Sequence, residues 1–182
     1  MSSDDQLVTF AAGIEAAAVT TLAALFAGRL VTSAPKPVGS LAAAALSSHR
    51  ACRDALNALA SAPVLVAPDE VVARLGLNRA DDAKSLADVL AIAMKVDDLL
   101  SQTCVAATSQ VGDPLLRSLL AQVATVAGHR LGALRTLAAI PPDELSLALG
   151  PPIQPTVLSA DVGSAVTASF VGTDNALSPG NP

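Results

Sequence analysis

The sequence predicts an all-α protein, a four-helix bundle of up-down topology, and three observations carry that reading. Apolar residues make up 52% of the 182, much of this as alanine, and the aromatics are Phe10, Phe26 and Phe170 alone. Small side chains with few rings suit closely packed helices and fill a sandwich or barrel poorly. Apolar residues recur at helical spacing over four segments. Two short connections and one long one join those segments, as expected for two antiparallel hairpins.

The first helix is expected over about 5–31, with Leu7, Phe10, Ile14, Thr21 and Leu25 near heptad spacing. A Ser-Ala-Pro-Lys-Pro break at 33–37 ends it. The second runs over about 38–61, with Pro37 placed to start it, and its inner stripe is Leu41, Ala45, His49, Cys52, Leu56 and Leu59. The long connection between helices 2 and 3 covers 62–80, and Pro68-Asp69-Glu70 suits the start of a short helix there. The third helix opens at Asp81 or Asp82 and continues to about 111, where Gly112-Asp113-Pro114 stops it. The fourth runs from 113 to about 140, with Asp113 as cap and Pro114 in the first turn, and Pro141-Pro142 at its end.

Composition changes at 141. Seven of the twelve prolines lie in 141–182, and its charges are Asp143, Glu144, Asp161 and Asp174. The reading is a bundle over 1–140 and a Pro-rich, extended or irregular tail over 141–182. Phe170 is the tail's candidate anchor for docking on its own or a neighbouring subunit.

A net charge of −5 and a pI near 4.8, with scattered lysines and arginines, argue against a nucleic-acid partner. Two cysteines are too few for a disulfide framework. The acidic start "MSSDDQ" lacks the positive region of a signal peptide, so the expected location is the cytoplasm, or outside it if a leader has been removed. Residues 7–28 are long enough to span a bilayer, but Glu15 sits in the middle, and a carboxylate at that depth is costly. A membrane helix is therefore not the expectation.

Each predicted helix sets a polar or sulfur-bearing group on a stripe that otherwise looks buried. Glu15 falls between Ala11 and Ala18, and His49 lies three residues before Cys52. Ser101 falls between Asp97 and Cys104, and His129 lies one turn after Val126. Glu15, His49, Cys52 and His129 offer one oxygen, two nitrogens and one sulfur, a set that zinc accepts tetrahedrally. The plainer expectation is a buried Glu15–histidine contact without metal, because a carboxylate on an inner stripe needs a partner; His49, His129 or Arg130 could supply it. The cysteines behave by default as small hydrophobes, and Ser101 is expected to bond back to its own turn. Lys95, Asp97 and Asp98, like Arg50, Arg53 and Asp54, read as solvated faces. Gly128 and Gly132 read as marks of close helix approach.

Four short runs carry a resemblance. "FAAGIEAAA" (10–18), "SHRACRDAL" (48–56), "LSQTCVAA" (100–107) and "TVAGHRLGALR" (125–135) resemble the four helices of ferritin-like domains of the actinobacterial type. These are bundles related to the di-iron carboxylate proteins, in which two helices each give a Glu and the other two a Glu-x-x-His pair. In the matching register Glu15 keeps the first ligand and His129 the last. His49 and Cys52 replace the second helix's Glu and His, and Ser101 and Val126 stand at degenerate ligand positions. An alternative register places Leu46 at the Glu and keeps His49 as the His. With one such Glu left, the resemblance implies a frame that has lost di-iron chemistry.

The expected function is accordingly a non-catalytic structural or interaction protein, self-associating as a homo-oligomer or binding a protein partner. The mean hydropathy of +0.53 points to apolar surface in need of cover. A metal-binding or redox protein with a rebuilt mononuclear zinc or iron site at Glu15, His49, Cys52 and His129 is the alternative. A small apolar ligand held between the helices is a third.

Overall fold

Four long helices carry the architecture: α1 Ser3–Ala27, α3 Lys36–Asn57, α5 Leu86–Thr108 and α6 Pro114–Ala139. Between them lie α2 Arg29–Thr32, α4 Asp69–Leu75 and a 3-10 helix over Leu77–Asp82. The computed structural model describes residues 3–139, which are all-helical with no strand among them. The expected tail and Phe170 lie outside the described residues.

Contacts at one end fix the helix directions. The Asp5 carboxylate accepts hydrogen bonds from Ser61 N (2.8 Å) and Ser61 Oγ (2.6 Å), tying the start of α1 to the chain just past α3. The Asp4 carboxylate accepts from Gly112 N (3.1 Å) and Asp113 N (2.9 Å) in the α5–α6 turn. So α1 runs antiparallel to both α3 and α5, and α3 and α5 run parallel across the long connection, where simple up-down alternation would set them antiparallel. The most intimate pairs are α5 with α6 and α1 with α3; α1 against α5 and α3 against α6 complete the core.

The unusual apolarity of α1 follows from its place. Residues 11–19 are buried without interruption, because α3 and α5 cover two sides and the connection covers another. Val71, Leu75 and Leu77 of that connection are buried, and a Cβ on Gly13 would meet Pro68 Cδ at 3.4 Å. A helix that is hydrophobic all round belongs in such a position. Its span Asp4–Ala27 is apolar and long enough to cross a bilayer, with a mean hydropathy of 1.7, and 56% of that window is buried inside the protein. Val8, Ile14, Leu22, Leu56, Leu100 and Leu120 fill the core between the helices, each contributing about 1.5–3 kcal/mol by leaving water.

Boundaries differ from the sequence expectation where turn chemistry intervenes. The first helix breaks at Gly28, an extended residue, and α2 continues as one turn. The second helix ends at Asn57, whose side chain instead pins Val64 through both its backbone groups (3.1 and 2.8 Å). Leu59 thus falls beyond the helix and is 41% exposed rather than part of the inner stripe. The short helix expected after Pro68 is α4, closed by Gly76 at φ 69°, where a Cβ would also meet Lys95 Nζ at 2.8 Å.

The third helix does not open at Asp81 or Asp82. Those residues lie in the 3-10 helix, and Ala83 then turns extended. Ser85 caps α5 instead: its hydroxyl accepts from Asp88 N (3.2 Å), and Asp88 Oδ2 accepts from Ser85 N (2.8 Å). The fourth helix opens as expected, with Asp113 Oδ1 accepting from Leu115 N at 2.7 Å.

Hydrogen bonds from Ser61 hold the Asp5 carboxyl below its ordinary range, and those from Lys84 and Ser85 do the same for Asp88. A depressed carboxyl contributes stability that is present above its unfolded value and lost as pH falls through the folded one. Asp5→Ala and Asp88→Ala should therefore lower the melting temperature at pH 7. The gap to the wild type should close as the pH is taken well below 3.8, which thermal scans across pH would check. Ser85→Ala should cost about 1 kcal/mol in denaturant unfolding, as for other lost caps.

Candidate functional site

One ionisable side chain from each long helix meets the others in the middle of the core. Glu15 of α1 and His49 of α3 are fully buried, Asp97 of α5 is 1% exposed and Arg130 of α6 is 7% exposed. Helical spacing turns them inward. Glu15 lies in line with Ala11, Ala18 and Leu22, and His49 with Ala42, Ala45 and Leu56. Asp97 follows Ala93, and Arg130 stands between Ala127 and Leu134; all of these neighbours are buried.

The contacts form a chain. His49 Nδ1 lies 2.6 Å from Glu15 Oε2. An ionised carboxylate only accepts, so with Glu15 ionised the shared proton belongs to Nδ1. His49 Nε2 faces Asp97 Oδ1 at 3.7 Å. Arg130 Nε donates to that same oxygen at 2.7 Å, and Nη2 also lies 2.7 Å from it. Arg130 Nη2 stands 3.7 Å from Glu15 Oε1, while Nη1 donates to Ser48 Oγ at 2.9 Å and reaches Cys52 Sγ at 3.9 Å.

Burial opposes the Arg130 cation, but Asp97 and Glu15 outweigh it and hold the guanidinium charged, above its ordinary value. Burial is also the largest influence on Asp97 and pushes its carboxyl up, against the pull of Arg130 and His49. The Cys52 thiol is pushed up to about 11 by burial and then by the charge of Glu15. Burial raises the Cys104 thiol further still. Neither thiol is an activated nucleophile.

Of the four residues proposed as ligands from sequence, the structure brings Glu15 and His49 into contact and sets Cys52 at the edge of the same cluster. His129 is exposed, because one residue along a helix is a rotation of about 100°, and Arg130 takes the inward position. Among the described residues, no three His, Cys, Asp or Glu side chains are grouped to hold a metal ion. Ser101 Oγ donates across to Ala124 O of α6 (3.1 Å) rather than to its own turn, and Val126 and Leu46 are half-buried. A Cβ on Gly128 would meet Ser101 Oγ at an ordinary contact distance (3.9 Å), and Gly132 is exposed with nothing near its Cβ position, so the pair marks no close approach.

Asp97 is the residue that the sequence reading placed wrongly, on a solvated face. The stripe through Ala93, Ser101 and Cys104 was the signal for it, since all are buried with it. Its neighbours Lys95 and Asp98 do face outward, with Asp98 accepting from Gln102 at 2.9 Å. Near the far end of the core, an apolar cleft lined by Phe26, Val31, Val38, Leu41, Val89 and Leu134 encloses about 10 Å³.

The chain matches no family model, no curated protein and no solved structure.

Arg130→Ala leaves two buried carboxylates facing one imidazole, and should cost about 3–5 kcal/mol in denaturant unfolding. Arg130→Met combined with Asp97→Leu should lie closer to wild type than either single change, a coupling that a double-mutant cycle measures. The Cys52 shift from 9.0 to about 11 makes its native thiolate about 100-fold scarcer at pH 8. Alkylation of the native chain at that pH should be slower than that of the unfolded chain by at least this factor, read by mass spectrometry over time.

Proposed function

We propose that the protein is a non-catalytic, ferritin-like four-helix bundle acting as a structural or interaction protein, associating with itself or with a protein partner. The observation that carries this reading is the position of Arg130. Its guanidinium lies 2.7 Å from Asp97 Oδ1 and 3.7 Å from Glu15 Oε1, a tethered cation among the carboxylates where a ferritin-like protein would set metal ions. A fixed positive charge there opposes a second cation electrostatically and supplies the neutralisation that a metal would otherwise give.

Association is supported by the surface. Leu59, Leu65, Val66 and Leu115 are 41%, 74%, 82% and 64% exposed. The contacts of Asp4 and Asp5 gather the start of α1, the chain just past α3 and the start of α6 at the end of the molecule where these residues lie.

One observation favours the metal-binding alternative. Glu15 and His49 are two ligand-type side chains already in contact, and Glu15 Oε1 and His49 Nε2 have no hydrogen-bond partner. On that reading Glu15 and His49 would supply two ligands for zinc or iron, and Cys52 and His129 would have to move to complete the site.

Elemental mass spectrometry on protein purified without chelator, alongside light scattering, separates the readings. The expected result is less than a tenth of an equivalent of zinc or iron per chain, with a defined oligomer or complex that Leu65→Asp with Val66→Asp disperses. Near one equivalent of metal, lost in Glu15→Ala, would overturn the proposal in favour of the alternative.

A further inference from the structure

We propose that a second copy of the chain docks on the end of the bundle where α1 and α6 begin, as a two-fold dimer with Leu65 and Val66 beside the axis. The large apolar side chains left exposed among the described residues are Leu59, Leu65, Val66 and Leu115. All four lie at this one end, around the start of α1, where Asp5 holds Ser61 and Asp4 holds the α5–α6 turn. Scattered exposed leucines need no explanation, but large aliphatic side chains collected at one end mark a contact surface. Leu65 and Val66 are its most exposed members.

Charge selects the partner. Residues 55–68 carry no charged side chain, and the charges that border them are committed within the chain. The Asp4 and Asp5 carboxylates accept from Asp113 N and from Ser61. Asp113 Oδ1 accepts from Leu115 N, and Arg117 Nη2 donates to Val111 O at 2.6 Å. Arg53 and Asp54 pair with each other at 2.7 Å, and Asp69 and Glu70, which open α4, are left to the rim. In an isologous contact the same patch meets itself, so a charge near the axis faces its own copy, like against like. With a net charge of −5, two copies repel over most of their surfaces. A charge-free apolar end is where they can meet without that penalty. A different protein would be steered by complementary charge, and this end offers none to read.

The segment that presents Leu65 and Val66 is anchored on both sides. Asn57 binds both backbone groups of Val64, and Pro68 packs beside Gly13 of α1. Side chains held out on a fixed segment lose less freedom when they are covered, which lowers the cost of association. The inference rests on the proposed function only for the claim that the chain associates.

Sedimentation equilibrium on the full chain tests it, with Val66→Lys and Val66→Asp as separate variants. Val66 is 82% exposed, so both should keep the wild-type circular dichroism. Wild type should weigh twice 18.1 kDa. Each variant alone sets like charges against each other and should weaken the dimer by about 30-fold or more, as the loss of a strong anchor does. An equimolar mixture of the two should recover the dimer, because Lys then faces Asp across the axis. A wild-type monomer up to about 0.1 mM, where even weak interfaces fill, overturns the inference. The end then serves another protein or residues 140–182, and the proposed function stands through a partner. An oligomer that ignores both variants, or a mixture that stays monomeric, also overturns it and leaves self-association elsewhere on the surface. One equivalent of metal beside an intact dimer overturns the proposed function and leaves this interface standing.

Discussion

The pairing of Asp97 with Arg130 inside the core is the interaction on which the rest depends. Taking a carboxylate and a guanidinium out of water costs several kcal/mol each by order of magnitude, and their mutual attraction offsets this only when the geometry is close. Two donor nitrogens at 2.7 Å from one oxygen supply that geometry. Glu15 and His49 are under the same constraint and meet it through their 2.6 Å contact. Because each long helix contributes one member, none can rotate or slide without leaving a buried charge unpaired. The network therefore specifies register more than it adds stability.

Small residues around the network make that register attainable. Ala11, Ala12, Ala16, Ala17 and Ala18 on α1 are all buried, and without long side chains there, neighbouring helices come near enough for Glu15 to reach His49. At one end the Asp4 and Asp5 carboxylates bind backbone groups of two other helix junctions, adding an axial stop. The connection through α4 and the 3-10 helix closes the remaining side of α1. Residues 11–19, the middle of an apolar stretch of membrane-spanning length, are thus buried inside the protein.

The four long helices were legible because their signals are local and redundant: apolar spacing, Pro37, and Asp113 followed by Pro114. Their limits were less so. Asp81-Asp82 looked like a cap, but the choice between it and the Ser85–Asp88 box depends on Ala83 turning extended, which no periodicity reveals. Glu15 and His49 could be found because a charged or polar residue on an alanine stripe stands out. Asp97 and Asp98 are alike in composition, and what separates them is the line through Ala93, Ser101 and Cys104, which takes Asp97 inside and leaves Asp98 at the surface. His129 and Arg130 posed the same problem. A residue type that resembled a ligand drew attention to the wrong neighbour, when the inner line through Ala127 and Leu134 passes through Arg130.

On the proposed reading, the difference between this cluster and a metal centre is a difference in how the positive charge is supplied. An ion binds and leaves, and its site must keep lone pairs open to it at a cost in unpaired polarity when it is absent. A guanidinium is tied to the backbone, arrives when α6 packs, and cannot dissociate without unfolding. The same carboxylates then serve folding continuously instead of serving a ligand intermittently. A frame so neutralised has no reason to keep a route for solvent or substrate into its centre. Selection for a partner would act on the outside, where Leu65 and Val66 leave apolar surface exposed.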